Sequence, residues 1–438
     1  MDHPSLDVAV VGSGYVGTTL AACLADLGHR VAAVDIDQSI VEAINAGRAP
    51  IHEPGLEELI RRHAGSRLEA TTDHDAAAAA DATFIAVETP ADEEGAIDPT
   101  ALLAATEDVG AAIADVEGYP VVVVKSTVLP DVIEDAVVPT LEAAADGVVG
   151  EDLGLAVNPE FQREGTAVAD LLQPDRVVLG ADDDPEAIER LRAVYAPLVD
   201  QSGAPVIETG RREAATIKYA SNAFLATKLS FINDLGNLCK TYAVDTYEVA
   251  EALGLDHRIA PDYLRAGLGW GGSCLPKDTA ALAHAGRTRD RPLAVVEAAI
   301  AVNDGQPAYL LELLDRHVDV ADRRVAVLGL AFKPGTDDVR ESRAIPVIEG
   351  LLARGADVVA YDPTEGARRA MRERFSDLEY ATSAAAALEG AVGACVATDW
   401  PEFADLDDAF ASMAEPVVVD GRRIVDPPSF VTYEGLAW

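Results

Sequence analysis

A glycine-rich turn between two predicted strands near the start of the chain limits the possible folds more than any other feature. The apolar run of residues 6–11 leads into Gly12-Ser13-Gly14-Tyr15-Val16-Gly17, and a helical pattern continues to residue 27. A second predicted strand, residues 31–34, ends at Asp35. A strand, glycine turn, helix, strand and acidic residue at this spacing are typical of a dinucleotide-binding α/β fold.

The same residues predict which dinucleotide is bound. The three glycines permit a tight turn and a close approach of a pyrophosphate to the helix N-terminus, with Tyr15 and Val16 completing the turn. Asp35 can accept hydrogen bonds from a ribose 2′-hydroxyl and would repel a 2′-phosphate, which favours NAD over NADP. Two later strands, residues 83–87 and 121–124, end in polar loops that would border the same crevice.

Part of this pattern recurs near the C-terminus. Gly28-x-x-Val31-x-x-x-Asp35 is repeated as Gly355-x-x-Val358-x-x-x-Asp362, and a strand-like run over residues 325–328 precedes the repeat. The turn at residues 332–338 lacks the glycine spacing of a dinucleotide site, so a second α/β unit with another ligand is predicted. Lys333, Arg340 and the pair Arg422-Arg423 offer cations to a phosphate, with an ordinary solvated surface charge as the alternative for each.

A mostly helical stretch, residues 211–303, separates the two units. No Pro or Gly interrupts residues 211–235, so one long helix is predicted, with Lys218 and Asn222 on one face of it. The predicted fold is α/β, with two Rossmann-like, doubly wound domains joined by a long central helix. The predicted domains are residues 1–205, a helical and dimerisation region over 206–305, and residues 306–438.

Residues 271–278, Gly-Gly-Ser-Cys-Leu-Pro-Lys-Asp, place a thiol at a predicted helix start. Pro276 suits the first helical position, so Cys274 would lie just outside the helix N-terminus, where unpaired N–H groups and the helix dipole favour a thiolate. Asp278 would lie on the same face, one turn along. For Cys274 alone, a buried cysteine in an ordinary loop is the alternative.

The remaining cysteines and the charge balance limit the classes of partner. Cys23, Cys239 and Cys395 lie in apolar contexts without a CxxC pair, so we expect core residues and neither a disulfide framework nor a metal site. The net charge of −41 argues against nucleic acid and anionic membrane as partners. It suggests a protein adapted to high salt, with a merely acidic protein as the alternative. With no membrane-spanning run or signal peptide, we expect a cytoplasmic protein.

Lysine is scarce in this chain, so the positions at which it occurs are informative about function. The chain has six lysines among 34 basic residues, and four of them, at 125, 218, 277 and 333, fall within the motifs described here. Solubility does not require lysines at those places, so a specific use of the ammonium groups is indicated.

Taken together, these motifs resemble the family of NAD-dependent UDP-sugar and GDP-mannose dehydrogenases over essentially the whole chain. The resemblance is carried in order by the glycine turn and by five further motifs besides residues 271–278: Pro50-Ile51-x-Glu53-Pro54-Gly55-Leu56, Lys125-Ser126-Thr127-Val128, Asn158-Pro159-Glu160-Phe161-x-Arg163-Glu164-Gly165, Lys218-x-x-x-Asn222 and Phe332-Lys333-Pro334-Gly335-Thr336-Asp337-Asp338. Members of this family oxidise a primary alcohol to a carboxylate in two hydride transfers.

The resemblance implies a role for each matching residue. Cys274 would be the nucleophile that forms a thiohemiacetal and then a thioester, and Lys218 and Asn222 would stabilise the oxyanion. Asp278 and Thr127 would hold the catalytic water and relay protons, and Glu160 would act in thioester hydrolysis as a candidate general base. The implied NAD contacts are Gly12, Gly14, Tyr15, Val16, Gly17, Asp35, Thr89, Ser126, Thr127, Glu164, Lys277 and Arg340. The implied UDP-sugar contacts are Glu160, Phe161, Lys218, Asn222, Arg258, Tyr263, Gly269, Gly271, Phe332, Lys333 and Arg422, with Arg258 reaching across a homodimer.

Within this family we expect UDP-glucose to be the substrate. Ser273 and Lys277-Asp278 stand where relatives acting on UDP-N-acetylhexosamines have other residues, and GDP-mannose relatives share Ser-Cys-Leu-Pro-Lys-Asp. GDP-mannose and UDP-N-acetylhexosamines therefore stay as alternative substrates. Two other functions are also open on this scaffold: a two-electron dehydrogenase that stops at an aldehyde or ketone, and a nucleotide-sugar sensor without catalysis.

Overall fold

The computed structural model describes residues 3–92 and 94–438. The chain forms two compact units, the first ending at Ser221 and the second extending over Asn222–Trp438. Each unit is built on one β-sheet with helices and two buried apolar clusters beside the sheet. The prediction of an α/β protein with two Rossmann-like domains is confirmed.

The first unit contains an eight-stranded sheet in the order β3-β2-β1-β4-β5-β6-β7-β8. Its strands are β1 (Asp7–Val11), β2 (Arg30–Val34), β3 (Leu68–Thr71), β4 (Ala82–Ile85), β5 (Val121–Val124), β6 (Gly154–Val157), β7 (Val177–Gly180) and β8 (Val206–Thr209). The first six in this order pair in parallel, and only the β6–β7 pairing is antiparallel. Because parallel strands are covered on both faces, their sequences are continuously apolar, which explains Val-Val-Val-Val in β5.

Helices connect these strands and cover the sheet. They are α1 (Tyr15–Asp26), α2 (Gln38–Asn45), α3 (Leu56–His63), α4 (Thr100–Ile113), α5 (Pro130–Val132), α6 (Val138–Ala145), α7 (Ala167–Leu172) and α8 (Pro185–Ser202), with a 3₁₀ helix at His74–Ala79 and a π-helical turn at Ile133–Val137. The strand order reverses between β1 and β4. In doubly wound sheets a ligand crevice lies at that point, outside the carboxyl ends of the strands.

A single helix, α9 (Arg211–Thr241), runs through the boundary between the two units. The predicted long helix over residues 211–235 is therefore confirmed and continues for six further residues. Lys218 belongs to the first unit and Asn222 to the second, one helical turn apart on α9.

The second unit contains a six-stranded parallel sheet in the order β11-β10-β9-β12-β13-β14. Its strands are β9 (Arg324–Leu328), β10 (Asp357–Tyr361), β11 (Glu379–Tyr380), β12 (Gly393–Val396), β13 (Val417–Asp420) and β14 (Thr432–Gly435). Its helices are α10 (Thr246–Gly254), α11 (Leu275–Thr288), α12 (Ala294–Asp315), α13 (Ala344–Ala353), α14 (Glu365–Arg374), α15 (Ala384–Leu388) and α16 (Asp407–Phe410), with a 3₁₀ helix at Pro401–Ala404. This is the strand order of the first six strands of the other unit, and the second α/β unit that the sequence repeat predicts is confirmed.

The acidic residue of the sequence repeat has a different role in the second unit. Asp362 follows β10 as Asp35 follows β2, but it is fully buried and its carboxylate accepts hydrogen bonds from the backbone N–H groups of Leu330 and Ala331. It also accepts a hydrogen bond from the indole of Trp400. This carboxylate is used to close the turn after β9, which agrees with the prediction that this turn does not bind a dinucleotide.

One helix starts a residue earlier than the sequence indicates. Helix α11 begins at Leu275 with Cys274 as its N-cap, so Pro276 occupies the second helical position. The backbone N–H of Asp278 donates to the carbonyl of Cys274 over 2.9 Å, which closes the first turn. Cys274 still lies at the predicted helix N-terminus. Within the described residues, no helix is both long and apolar enough to cross a membrane.

A substitution at Gly17 tests whether the turn after β1 is as tightly packed as the structure indicates. A Cβ at Gly17 would lie 1.8 Å from the carbonyl oxygen of Gly12, and backbone can relieve such a clash only by moving. We expect Gly17→Ala to lower the free energy of unfolding by at least about 1–3 kcal/mol, the cost of overpacking a close contact. Thermal or denaturant unfolding of the purified variant measures it.

Gly14→Ala is the matched control, because a Cβ at Gly14 meets nothing within 4 Å and its φ of −72° suits any residue. Its unfolding free energy should stay within about 0.5 kcal/mol of the parent value. Equal losses for the two variants would contradict the packing described for this turn.

Candidate active site

The turn after β1 presents backbone N–H groups at the start of α1. Gly14 is the N-cap of α1, and no side chain caps the helix there. The carboxylate of Asp35, directly after β2, accepts hydrogen bonds from the backbone N–H groups of Ser13 (2.6 Å) and Asp37 (2.9 Å). Asp35 therefore stands beside the turn, as the sequence predicts.

This turn fits a dinucleotide on two structural grounds. The space where a side chain of Gly14 would stand is open, and the first N–H groups of α1 can bind an anion. Asp35 is only half-buried, so its carboxylate can still accept a hydrogen bond from a ribose hydroxyl. Gly12, Gly14, Gly17 and Asp35 would hold NAD, which supplies a hydride acceptor when bound.

The loops after β4 and β5 are tied to each other. The hydroxyl of Thr89 donates to the carbonyl of Thr127 over 2.7 Å, and the hydroxyl of Ser126 donates to the carbonyl of Val87 over 2.6 Å. These loops contain three predicted cofactor contacts at the carboxyl edge of the sheet. The two hydrogen bonds connect the backbone at Val87 and Thr127 across the two loops.

Glu53 anchors the segment that carries Glu164, a role that sequence reasoning did not assign. Its buried carboxylate accepts hydrogen bonds from the backbone N–H groups of Gly165 (2.7 Å) and Ala167 (2.8 Å). Gly165 also donates to the hydroxyl of Tyr15 over 2.9 Å. Tyr15 and the segment after Glu164 are thereby brought together, as expected for two parts of one cofactor site.

A buried ion pair joins α9 to the loop after β6. The Lys218 ammonium donates to the Glu160 carboxylate over 2.6 Å, and both side chains are almost completely buried. Burial alone would raise the pKa of Glu160, but Lys218, with help from Lys125 and the backbone N–H of Gln162, lowers it below its ordinary value. Glu160 is therefore ionised. The ring of Phe161, next in sequence, lies 5.7 Å from the Lys218 nitrogen and 4.0 Å from the Arg176 guanidinium.

In the second unit, Cys274 begins α11 and its side chain is exposed. The hydroxyl of Ser273 lies 3.6 Å from its sulfur. None of the four cysteines, all within the described part of the chain, forms a disulfide, and Cys23, Cys239 and Cys395 are buried as predicted. Cys274 therefore has the position that the sequence predicts, at the N-terminus of a fourteen-residue helix.

Asp278 is buried one turn into α11 and is held by two donors. The Asn222 amide donates to one carboxylate oxygen over 2.6 Å, and the Lys277 ammonium donates to the other over 2.7 Å. Asn222 comes from α9, so this contact brings together two predicted catalytic residues that are 56 positions apart. Lys277, predicted to contact the cofactor, forms an ion pair with Asp278.

The loop before Cys274 packs against α12 and against the segment between β9 and α13. Asn303 holds its backbone at Trp270 through two hydrogen bonds, and the N–H of Gly272 donates to the carbonyl of Arg340 over 3.0 Å. A Cβ at Gly271 would lie 2.1 Å from the carbonyl oxygen of Glu341, so only glycine fits there. Gly272 lies against the ring of Phe332, another predicted substrate contact.

The predicted substrate cations of this unit have different surroundings. Arg422 is partly buried, and its guanidinium donates to the carbonyls of Gly269 (2.9 Å) and Ala397 (2.8 Å). Burial lowers the pKa of Arg422 below the ordinary arginine value, with the like charge of Arg343 adding to the effect. The Lys333 ammonium lies 5.4 Å from the ring centroid of Phe332.

The three remaining predicted contacts are Arg258, Arg340, whose backbone carbonyl accepts from Gly272, and Tyr263. Arg258 is exposed and paired with Asp256 over 2.6 Å, and Arg340 is paired with Asp338 over 2.6 Å. Tyr263 has a left-handed backbone conformation with φ of 62°.

The structure also shows hydrogen-bond partners that the sequence did not indicate. Asp420, at the end of β13, accepts backbone hydrogen bonds from residues 422–425 and shapes the turn that carries Arg422. Lys125 and Asn158 form a buried hydrogen bond of 2.8 Å at the ends of β5 and β6. The scarcity of lysine was a signal for Lys125, whereas nothing local in the sequence indicated Asp420.

Comparison with protein families gives matches along nearly the whole chain. The NAD binding domain of the UDP-glucose/GDP-mannose dehydrogenase family matches residues 6–199, its central domain matches residues 212–305, and its UDP binding domain matches residues 326–427.

Individual relatives agree with these matches. The chain is 54% identical to the UDP-glucose 6-dehydrogenase AglM of Haloferax volcanii, over 98% of this chain and 100% of that protein. It is 40% identical to a UDP-glucose 6-dehydrogenase of Rhizobium meliloti, over 96% and 95% of the two chains. The solved structure of a UDP-glucose dehydrogenase from Pyrobaculum islandicum superposes with a TM-score of 0.91 at 43% identity, covering 99% and 98% of the two chains.

The three domain matches follow the order of the glycine turn, the long helix with the cysteine loop, and the second sheet. The NAD expected from Asp35 and the glycine turn agrees with the NAD binding domain matched over the same residues. The chain therefore belongs to the UDP-glucose/GDP-mannose dehydrogenase family of NAD-dependent oxidoreductases.

Proposed function

We propose that this chain oxidises UDP-glucose to UDP-glucuronate in two successive hydride transfers to NAD, through a covalent intermediate on Cys274. The observation that carries the proposal is the exposed Cys274 thiol at the start of α11, one turn from a buried Asp278 that Asn222 orients. An accessible thiol at a helix N-terminus is suited to attack a carbonyl. Similarity to UDP-glucose 6-dehydrogenases over 98% and 96% of the chain supports the choice of substrate.

Cys274 supplies the nucleophile of the first covalent step. Its thiolate forms a C–S bond to the aldehyde carbon left by the first oxidation, and the carbonyl electron pair moves onto oxygen. We assign that oxyanion to Lys218 and Asn222, because ammonium and amide N–H groups stabilise developing negative charge. The buried positions of both side chains keep them from competing water.

Water completes the reaction. The second oxidation leaves a thioester; water adds to its carbon, the C–S bond breaks and the thiolate leaves with the electron pair. We assign Asp278 and Thr127 to hold this water and relay its protons. Glu160 is ionised and can accept a proton, although its lowered pKa makes it a weak base. One UDP-glucose, two NAD and one water give one UDP-glucuronate, two NADH and three protons.

The remaining predicted residues are assigned to binding. Gly12, Gly14, Tyr15, Val16, Gly17, Asp35, Thr89, Ser126, Glu164, Lys277 and Arg340 are proposed to contact NAD. Phe161, Arg258, Tyr263, Gly269, Gly271, Phe332, Lys333 and Arg422 are proposed to contact the UDP-sugar. A strongly acidic protein needs such a local group of cations to bind a doubly anionic pyrophosphate.

We propose that the chain works as a homodimer. Phe224, Phe231 and Leu238 repeat every seven residues on α9, which puts them on one face, and they are 68%, 57% and 51% exposed. Monomeric proteins rarely leave such a row of large apolar side chains in water. A second copy is the occupant to which this row is suited, because the same row on its α9 would be self-complementary in a two-fold dimer.

Two further properties follow from composition. A catalytic thiolate needs reducing surroundings, so we propose a cytoplasmic location. With a net charge of −41, the acidic side chains repel one another unless salt screens them. We therefore propose that the protein is adapted to high ionic strength.

A panel of nucleotide sugars tests the proposed reaction. UDP-glucose, GDP-mannose and UDP-N-acetylglucosamine are each incubated with NAD while NADH is followed by absorbance. We expect the highest kcat/KM with UDP-glucose and two NADH for each UDP-glucose consumed. One NADH per sugar would rule out the four-electron reaction, and binding without any NADH would indicate a sensor.

Cysteine variants provide the matched controls for this panel. Cys274→Ala should bind UDP-glucose in calorimetry and lose turnover, whereas Cys239→Ala, at a buried cysteine with no assigned role, should keep it. Unchanged turnover of Cys274→Ala would refute the covalent step. The panel is run at low and at molar KCl, and a higher rate in molar KCl is expected, because the Debye length falls from about 10 Å at 0.1 M to about 3 Å at 1 M.

Replacing the central aromatic residue of the α9 row tests the dimer. Phe231→Glu puts a charge in the middle of the row, so we expect a change from dimer to monomer in sedimentation velocity. Leu352→Glu, at a 41% exposed position on α13, is the control and should remain a dimer. A dimeric Phe231→Glu protein or a monomeric parent would contradict the proposed interface.

A further inference from the structure

The side chain of Lys125 is buried at the carboxyl end of β5, although lysine is rarely buried without a specific partner. Its ammonium donates to the side-chain carbonyl of Asn158 over 2.8 Å. The Asn158 amide nitrogen donates to the carbonyl of Val178 over 2.8 Å, and the Tyr195 hydroxyl donates to the Asn158 carbonyl as well. Val178 in β7 and Tyr195 in α8 therefore hold the Asn158 side chain, which accepts the hydrogen bond from Lys125.

Lys125 belongs to a group of three buried charged side chains. Lys125, Glu160 and Lys218 are each 6% exposed or less, and Lys125 interacts electrostatically with both of the others. Counted over these three side chains, two ammonium groups and one carboxylate carry one net positive charge. Burial lowers the pKa of Lys125 from 10.5 to about 8; the Glu160 carboxylate opposes that shift, and Lys218 adds to it.

The excess charge has a use in the proposed reaction. Lys218 is already engaged by Glu160, so an oxyanion bound to Lys218 would put two negative charges beside one ammonium. A second cation near Glu160 offsets that repulsion. The cluster is then neutral when the oxyanion is present and charged when it is absent, which favours the oxyanion over the ground state.

We propose that Lys125 is a positioning residue whose ammonium is held by Asn158. This ammonium helps Lys218 to keep Glu160 ionised, and it gives the buried cluster the positive charge that the oxyanion neutralises. The inference rests on the proposed function, because the oxyanion belongs to that reaction. Lys125 acts through Glu160 and Lys218.

The sign of the pH dependence follows from the lowered pKa of Lys125. Below about pH 8 the ammonium is charged and the cluster carries its excess charge; above about pH 8 the amine is neutral and the excess charge is lost. We therefore expect kcat/KM to fall on the alkaline side with a midpoint near that value. The charged groups facing Lys125 are Glu160 and Lys218, and Tyr195, which shares Asn158 with it, has a pKa raised by burial.

The first test observes Lys125 directly and needs no activity. With only six lysines, protein labelled with ¹³C at lysine Cε gives a resolvable NMR spectrum, and Lys125→Arg assigns the signal that it removes. We expect that signal to titrate with a midpoint near 8, and Glu160→Gln to move the midpoint lower because Glu160 favours the ammonium. A midpoint at the ordinary lysine value, or no change in Glu160→Gln, would overturn the inference.

The second test is kinetic. Lys125→Met should lower kcat with UDP-glucose by about 10- to 100-fold, in the range for loss of an electrostatic stabiliser, with KM changed by less than about 3-fold. Lys125→Arg keeps the charge and cannot lose its proton, so it should retain most activity and lose the alkaline decline. If Lys125→Met does not fold, Lys125→Arg alone decides, and an unchanged alkaline decline in it would contradict the proposal.

Tyr195→Phe separates charge from packing. Tyr195→Phe removes one hydrogen bond to Asn158 and leaves all three charges, so its alkaline decline in kcat/KM should match that of the parent. If the network had a purely structural role, Tyr195→Phe and Lys125→Arg would change the alkaline decline alike. Failure of the proposed function is visible separately as a parent enzyme that makes no NADH with UDP-glucose. A parent that makes two NADH and a Lys125 signal with an ordinary titration would overturn this inference alone.

Discussion

The buried ion pair between Lys218 and Glu160 is the interaction on which the chemistry of the first unit depends. It joins the start of α9 to the loop after β6, and both side chains are almost fully buried. Removing one partner of such a pair leaves an uncompensated charge and costs about 3–5 kcal/mol. The pair also accounts for the ionised state of Glu160, since burial alone would make its carboxyl harder to ionise.

The second unit also contains a buried carboxylate that needs hydrogen-bond donors, that of Asp278. This carboxylate is 1% exposed and is satisfied by Asn222 from α9 and by Lys277 from its own helix. Lys218 and Asn222 are one turn apart on α9, so one helix contributes a donor to a buried carboxylate in each unit. A break in α9 would therefore disturb both carboxylates, which explains why its first 25 residues contain neither Pro nor Gly.

Local sequence patterns predicted the parts of the structure that depend on local chemistry. The glycine turn with Asp35, the apolar runs of the parallel strands and the uninterrupted helix 211–235 all appear where they were expected. Residue types in these segments are dictated by φ angles, by burial on both sheet faces and by helix propensity. Such constraints are visible in a single sequence.

The partners of buried charges could not be predicted in the same way. Lys218 and Glu160 are 58 positions apart, and only the family resemblance placed both in one site. Asp362 repeats the position of Asp35, yet burial turns it into a structural acceptor for Leu330 and Ala331. The number of lysines pointed to Lys125, but its acceptor Asn158 depends on the pairing of β5 with β6.

Mass spectrometry of Cys274 during a single turnover tests whether this thiol forms the covalent intermediate. Enzyme in excess over UDP-glucose is mixed with NAD and quenched in acid, and the peptide of residues 266–277 is analysed, for the parent and for Glu160→Gln. We expect this peptide to carry a UDP-glucuronyl group that hydroxylamine removes, and we expect the group to last longer in Glu160→Gln. UDP-glucuronate formed while the peptide stays unmodified at every time point, in both proteins, would contradict it.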